Sequence, residues 1–146
     1  MLSNRSWLDQ APIVHIEDDI DDHQLIQEAI KATSIPNPIL FFRDGQQALN
    51  YLRTTTEQPL IILCDVRMPG MDGFELRDRI DADPHVREKA IPFVFFSTWA
   101  SRELVERAYK GTIQGYHLKG KSFDDLKSEL NMIVTYWKNC LHPKSF

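Results

Sequence analysis

Several apolar runs in this sequence end in side chains that are suited to metal or phosphoryl chemistry. Those side chains are Glu17, Asp18, Asp65, Ser97 and Lys119. Asp65 is the clearest case, because the run before it, residues 60–64, is apolar throughout. A carboxylate at the end of a buried strand is costly unless it is paired, binds a metal or takes part in a reaction. The other candidates are therefore considered in relation to Asp65.

The charges of these groups indicate a site for a divalent cation. Glu17, Asp18 and Asp65 would raise one another's pKa values and destabilise the fold if nothing compensated them. Lys119 supplies one positive charge, and oxygen ligands of this kind suit Mg²⁺, which also neutralises phosphoryl groups. In such a site Asp65 can act as a nucleophile and form an aspartyl phosphate. Lys119 and Ser97 would then bond to phosphoryl oxygens.

Each of these side chains also has a structural interpretation. Asp18 and Asp65 could cap a helix or a loop, Ser97 could be an ordinary strand-end hydroxyl, and Lys119 a solvated lysine. We favour the functional interpretation, because the structural one requires all four strand ends to carry the right group by accident. Three nearby aspartates are expected to cap the following helix or to favour its dipole, namely Asp19, Asp21 and Asp22.

The elements that must position these residues alternate between strands and helices. Apolar runs predict strands at residues 12–16, 39–42, 60–64, 93–96 and 115–118. Helical spacing and capping residues predict helices at residues 21–32, 45–52, 72–80, 101–109 and 123–139, with Asp72 and Glu75 forming a capping box. Strict alternation of this kind indicates an α/β fold, a three-layer αβα sandwich around a five-stranded parallel sheet. The carboxyl ends of the strands, and therefore the candidate residues, are expected at one edge.

The last predicted helix carries an apolar stripe at alternating spacings of three and four residues. Its members are Phe123, Leu126, Leu130, Ile133 and Trp137. Most of the stripe is expected to pack against the sheet. A partly exposed remainder could serve in self-association.

Length and composition exclude several classes of protein. A chain of 146 residues is enough for one domain and not for two, and a net charge of -4 argues against a dedicated nucleic-acid binder. Neither a long apolar span nor an N-terminal signal core is present, so we expect a cytoplasmic protein that does not enter membranes. Cys64 and Cys140 lack metal or redox spacing and are expected to be structural.

Over residues 11–139 the chain resembles the receiver domain of two-component response regulators. The matching segments are IVHIEDD at 13–19, DVRMPGMDG at 65–73, IPFVFFS at 91–97 and GYHLK at 115–119. The segment at 65–73 is the most specific of the four. The resemblance implies a CheY-like, flavodoxin-like sheet with strand order 2-1-3-4-5. The predicted domain is a single receiver over residues 1–146, with its core at 11–139 and no output domain.

The resemblance also implies a role for each site residue. Asp65 is the phosphoacceptor, and it would bind Mg²⁺ together with Glu17, Asp18 and the backbone carbonyl of Arg67. Lys119 is the phosphate-pairing lysine in the catalytic group. Ser97 belongs to the catalytic group as well and is also a switch residue. Tyr116 is the second switch residue.

Partners follow from the same resemblance. The phosphoryl donor would be a phosphohistidine on a sensor histidine kinase or a phosphotransfer protein, and output would come from contacts with a downstream protein target. The face formed by the fourth predicted helix, the fifth strand and the fifth predicted helix would change those contacts and could form a homodimer. We expect a signalling protein that catalyses its own phosphotransfer and dephosphorylation. The Asp-rich segment 18–22 and the pair Tyr136-Trp137 resemble small regulators that partner phytochrome-type or hybrid kinases.

Two residues depart from the family pattern. Gly120 follows the lysine where the family usually has proline, so the stiffness of the loop that carries Lys119 stays open. Trp99, two residues after Ser97, is either a surface residue or, together with Arg67, an obstacle to water attacking the phosphoryl group.

Three other functions compete with phosphoacceptance. A phosphatase of the haloacid-dehalogenase type needs a second Asp two residues after the nucleophile, where this chain has Arg67. A flavodoxin-like electron carrier needs a loop rich in glycines and hydroxyls after strand one, where this chain has acidic residues. A degenerate receiver that acts as a phosphorylation-independent adaptor is the serious alternative, and Gly120 is the residue that favours it.

Overall fold

Five short parallel strands form one sheet at the centre of the computed structural model, which describes residues 5–146. The strands are β1 (Ile13–Ile16), β2 (Ile39–Phe42), β3 (Ile61–Cys64), β4 (Phe93–Ser97) and β5 (Gly115–Leu118). Their order across the sheet is β2-β1-β3-β4-β5, and every pair is parallel. Each residue of β1, β3 and β4 is buried, as expected for strands covered on both faces. The predicted fold class and strand order are confirmed.

Within residues 5–146, six α-helices cover the two faces of the sheet. They are α1 (Ile20–Ala32), α2 (Gly45–Thr54), α3 (Gly73–Ala82), α4 (Pro84–Glu88), α5 (Arg102–Lys110) and α6 (Phe123–Asn139). One core cluster lies under α1 and α6, and a second lies under α2, α3, α4 and α5. Leu126, Leu130 and Ile133 are buried in the first cluster, whereas Phe123 is 39% exposed. The apolar stripe on α6 is therefore mostly core.

Helix α4 is an addition to the five predicted helices. Asp83 is extended, with ψ of 107°, and it ends α3 because the residue before a proline is disfavoured in helical conformation. Its side chain then accepts hydrogen bonds from the backbone of His85 and Val86, with Pro84 in the first turn. One aspartate thus ends α3 and caps α4. The spacing of apolar residues does not reveal this boundary between two helices.

Side-chain caps define where the other helices begin. Five residues accept a hydrogen bond from a backbone amide in the first turn that follows them, namely Asp19, Asp44, Asp72, Ser101 and Ser122. The predicted capping box at α3 is half formed. Asp72 accepts from the backbone of Glu75 at 2.9 Å, but the carboxylate of Glu75 lies 3.4 Å from the guanidinium of Arg79.

Residues near the two chain ends meet at the amino-terminal edge of the sheet. The rings of Trp7 and His142 lie 5.1 Å apart, and His142 Nε2 is 2.9 Å from the carbonyl of Lys89, which precedes β4. Lys138 pairs with Asp9 at 2.8 Å. We call the contacts of residues 5–11 with residues 138–146 the terminal clasp. Across the described residues, no helix has the length and apolar character needed to cross a membrane.

Candidate functional site

The strand ends bring the predicted site residues together at the carboxyl edge of the sheet. Asp65 N donates to the carbonyl of Ile16, which places the end of β3 beside the end of β1 and Glu17. Lys119 N donates to the carbonyl of Ser97 at 2.9 Å, so the ends of β4 and β5 are joined in the same way. The geometry expected from parallel strands is therefore present.

Three carboxylates at this edge form a compact acidic cluster. One oxygen atom from each of Glu17, Asp18 and Asp65 lies within 4.8 Å of the other two. Glu17 is 2% exposed, while Asp18 and Asp65 are half-buried and accessible from solvent. Oxygen atoms at this spacing suit a hard divalent cation such as Mg²⁺. The fourth predicted ligand, the carbonyl of Arg67, lies two residues beyond Asp65 and stays a prediction.

The electrostatics of Glu17 show why a cation would be favourable here. Burial raises the pKa of Glu17 to about 8; Lys119 opposes this rise, and the nearby charge of Asp65 adds to it. A carboxyl group with its pKa raised in this way resists ionisation near neutral pH. Burial and the charge of Asp65 both disfavour the negative charge on Glu17. A cation bound to the cluster would compensate that charge.

Lys119 is buried and held by two carboxylates from different parts of the chain. Its Nζ lies 3.0 Å from Glu17 Oε2 and 3.1 Å from Asp22 Oδ2 on the first turn of α1. Burial alone would lower the pKa of Lys119, but the carboxylates of Glu17, Asp22 and Asp65 outweigh burial and raise it. Lys119 is therefore a fixed positive charge beside the acidic cluster.

The sequence does not predict the pair of Asp22 with Lys119; it indicates that Asp22 favours the dipole of α1 or caps that helix. Asp19 has the capping role, because its side chain accepts from Asp21 N at 2.9 Å. Asp22 lies in the first turn of α1, where a carboxylate favours the helix dipole, so the dipole alternative is confirmed and the capping alternative is not. No local pattern in the sequence indicates the pair of Asp22 with Lys119, because it joins residues 97 positions apart.

Ser97, Trp99 and Tyr116 form a connected group beside Asp65. Ser97 is 7% exposed, and its Oγ accepts from Trp99 N at 3.3 Å. Tyr116 Oη donates to the carbonyl of Trp99 at 2.8 Å, and burial raises the pKa of Tyr116. The two predicted switch residues are thus linked through the backbone of Trp99.

Two glycines fix the backbone around the acidic cluster. A Cβ on Gly73 would lie 2.5 Å from the Asp65 carbonyl and 2.6 Å from the ring of Phe95. Only glycine lets α3 start against the end of β3. Gly120 has φ of +85°, and a Cβ there would lie 2.5 Å from Asp125 Cβ. Proline could not adopt that φ, so the departure from the family pattern accompanies a different backbone path.

A small cleft adjoins the site between α1 and α6. Its volume is about 200 Å³. Lys119 and Asp22 line it, together with apolar side chains such as Leu25 and Phe123 and polar residues such as Ser122. The cleft offers an apolar surface directly beside the buried lysine.

Comparisons with known proteins agree with this arrangement. A family model described as a response regulator receiver domain matches residues 13–131. The probable methanogenesis regulatory protein FilR2 of Methanothrix harundinacea (strain 6Ac) is 34% identical, covering 86% of this chain and 82% of that protein. The phosphorylated cyanobacterial phytochrome response regulator RcpA has a TM-score of 0.79 and 28% identity, covering 91% of this chain and 97% of its own. The Mn²⁺-bound form of response regulator Rcp1 has a TM-score of 0.76 and 26% identity, covering 90% and 97%.

Proposed function

The chain belongs to the response regulator receiver domain family, and we propose that Asp65 is the residue that carries its phosphoryl group. The protein acts as a phosphoacceptor in two-component signalling. The observation that supports Asp65 is its position. It is a half-buried carboxylate at the end of a buried strand, in one cluster with Glu17 and Asp18 and beside the ammonium of Lys119.

The proposed reaction is an in-line transfer from nitrogen to oxygen. A carboxylate oxygen of Asp65 attacks the phosphorus of a phosphohistidine, the new P–O bond forms and the P–N bond breaks. The electron pair of the broken bond stays on the imidazole nitrogen. Lys119 pairs with one phosphoryl oxygen and the hydroxyl of Ser97 donates to another. Hydrolysis of the acyl phosphate by water then restores Asp65.

We propose Mg²⁺ as the cation of this site. A relative is known in a Mn²⁺-bound form, and the oxygen-only cluster of Glu17, Asp18 and Asp65 suits either of these hard divalent cations. The carbonyl of Arg67 would complete the protein ligands. When bound, Mg²⁺ would neutralise charge that develops on the phosphoryl oxygens. The free concentration of Mg²⁺ in cells favours it over Mn²⁺ as the resident ion.

The proposed partners are proteins. The donor is a phosphohistidine on a sensor histidine kinase or a phosphotransfer protein, and the cleft between α1 and α6 offers it an apolar contact beside Lys119. One similar structure is that of a phytochrome response regulator, which makes a phytochrome-type kinase the first donor to test. Direct contact with nucleic acid or membranes is not proposed. The cytoplasmic location, the domain limits and the absence of activity on a separate substrate stay predictions.

Output is proposed to come from the face formed by α5, β5 and α6. Four large side chains on these three elements are more than 45% exposed, namely Tyr109, Leu118, Met132 and Tyr136. Phosphorylation would change the contacts of this face with a downstream target or with a second copy of the chain. Size-exclusion chromatography with and without acetyl phosphate tests the homodimer. An elution volume that stays constant under both conditions would contradict it.

Incubation with Mg²⁺ and acetyl phosphate tests the central proposal. The wild type should gain the mass of one phosphoryl group, and Asp65→Asn should not, because an amide is not a nucleophile towards phosphorus. Asp44→Asn removes a carboxylate that caps α2 and should leave labelling intact. A wild type that takes no phosphate would favour the alternative of a phosphorylation-independent adaptor.

A further inference from the structure

Asp22 holds the reactive lysine from a helix that is not otherwise part of the acidic cluster. Its carboxylate reaches Lys119 Nζ at 3.1 Å across 97 positions of the chain. Both hydrogen bonds of that ammonium within the described residues go to Glu17 and Asp22. Asp65 contributes to the electrostatics of Lys119 but accepts no hydrogen bond from it.

The position of Asp22 separates it from the ordinary aspartates of a first helical turn. Asp21 precedes it, is exposed and makes its backbone bond to the cap Asp19. The side chain of Asp22 is 29% exposed and faces a lysine whose side chain is 7% exposed. An aspartate that only favoured the helix dipole would need no such partner.

Gly120 makes a second holding group necessary. The backbone after Lys119 is glycine with φ of +85°, so the loop is not stiffened by proline at that point. The direction of the lysine side chain is then set by its partners rather than by the loop. Those partners are Glu17, directly after β1, and Asp22, in the first turn of α1.

We propose that Asp22 is a positioning residue that keeps Lys119 in a resting pair and must release it when a phosphoryl group arrives. This inference rests on the proposed function, in which Lys119 bonds to a phosphoryl oxygen on Asp65. An interaction made only in the resting state lowers the energy of the ground state and not that of the transition state. Asp22 therefore slows phosphorylation and sets how readily the resting protein accepts phosphate.

Removal of the negative charge of Asp22 should speed phosphorylation. An ion pair that is partly exposed contributes about 1 kcal/mol, so we expect Asp22→Asn to raise the initial rate about fivefold. Loss of a merely structural contact would lower the rate or leave it unchanged. The expected direction thus distinguishes positioning from structural support.

The experiment measures the initial rate of phosphate uptake from acetyl phosphate at saturating Mg²⁺ by intact-protein mass. The variants are Asp22→Asn, Asp22→Glu, which keeps the charge, and Asp21→Asn as the matched neighbour. We expect a faster rate for Asp22→Asn and wild-type rates for Asp22→Glu and Asp21→Asn. Asp22→Ser provides a second neutral variant, and urea unfolding verifies that each variant is folded.

The outcomes separate this inference from the proposed function. A wild type that takes no phosphate overturns the proposed function and this inference with it. A wild type that is labelled while Asp22→Asn and Asp22→Ser react no faster than Asp21→Asn overturns the role of Asp22 alone. If Asp21→Asn accelerated phosphorylation equally, the effect would come from the net charge of the protein, and the proposed role of Asp22 would also be overturned.

Discussion

The guanidinium carbon of Arg67 lies 4.9 Å from the centre of the Trp99 ring. Arg67 follows Asp65 in the loop before α3, and Trp99 follows Ser97 in the loop before α5. Trp99 is 52% exposed, so the pair lies at the surface where solvent approaches the site. The contact between a cation and an aromatic ring joins two loops that flank the proposed phosphoacceptor.

We predict that this pair slows the loss of phosphate from Asp65. Trp99→Ala should shorten the half-life of the aspartyl phosphate about twofold to fivefold, the range that corresponds to a cation–π contact of roughly 0.5–1 kcal/mol. The half-life is measured by intact-protein mass after removal of acetyl phosphate. Tyr136→Ala, which removes an exposed aromatic from α6, serves as the control. An unchanged half-life in Trp99→Ala would contradict the prediction that this pair slows the loss of phosphate.

Gly120→Ala is predicted to destabilise the fold more than Gly70→Ala. Both glycines have positive φ, +85° and +74°, but a Cβ at Gly70 meets nothing within 4 Å. Gly70→Ala should therefore cost about 1 kcal/mol for the left-handed backbone alone. Gly120→Ala adds a clash with Asp125 Cβ and should cost about 2 kcal/mol or more. Urea unfolding of the two variants compares the free energies of unfolding, and equal losses would contradict the clash.

Addition of Mg²⁺ is predicted to stabilise the wild type and to have little effect on Asp18→Asn. A ligand that binds only the folded state adds about 2.7 kcal/mol when its concentration is 100 times its dissociation constant. Asp19→Asn removes a neighbouring charge, keeps a side chain that can cap α1 and leaves the acidic cluster complete, so its response to Mg²⁺ should be kept. The melting temperature is measured with Mg²⁺ and again with excess chelator. A full Mg²⁺ response in Asp18→Asn would remove this residue from the ligand set.

The contribution of His15 to stability is predicted to fall as the pH drops below about 6.5, because His15 resists protonation in the fold. Burial lowers the pKa of His15 well below its ordinary value, and the charges of Lys119 and His23 lower it further. The unfolded chain binds this proton near pH 6.5, roughly the ordinary histidine pKa, whereas the folded chain does not. The stabilisation is thus complete above that pH and is lost progressively as the pH falls towards the lowered pKa.

Two variants, one at His15 and one at His85, test that prediction. Relative to the wild type, His15→Leu should lose less free energy of unfolding between about pH 8 and about pH 5, measured with urea. His85→Gln, at an exposed position on α4, should leave the slope unchanged. Equal slopes in the wild type and His15→Leu would assign the acid sensitivity to other groups.

The sequence allowed the fold and the members of the acidic cluster to be predicted because both depend on local patterns. Apolar runs define β1, β3 and β4, and parallel strands bring their ends to one edge. Glu17, Asp18 and Asp65 could therefore be grouped without knowledge of any distance. Helix α4 was missed because only five residues and an Asp-Pro pair mark it.

Contacts between distant side chains could not be predicted in the same way. The pair of Asp22 with Lys119 depends on how α1 lies relative to β5, and the bond from Tyr116 to the Trp99 carbonyl depends on the course of a loop. Many partners of similar chemistry were available to each of these groups. Only packing of the whole chain decides among them.

The terminal clasp gives the two edges of the sheet different freedom to fluctuate. At the amino-terminal edge, the ring contact of Trp7 with His142 and the ion pair of Lys138 with Asp9 join residues 5–11 to residues 138–146, and His142 also contacts the carbonyl of Lys89 before β4. At the carboxyl edge Lys119 and Tyr116 also make contacts between segments, but Asp18 and Asp65 are half-buried and Trp99 is exposed. Amide hydrogens near the clasp should therefore exchange with solvent more slowly than those around Asp65 and Trp99. Motions that accompany signalling would then be confined to the carboxyl edge, which receives the phosphoryl group, while the amino-terminal edge keeps its conformation.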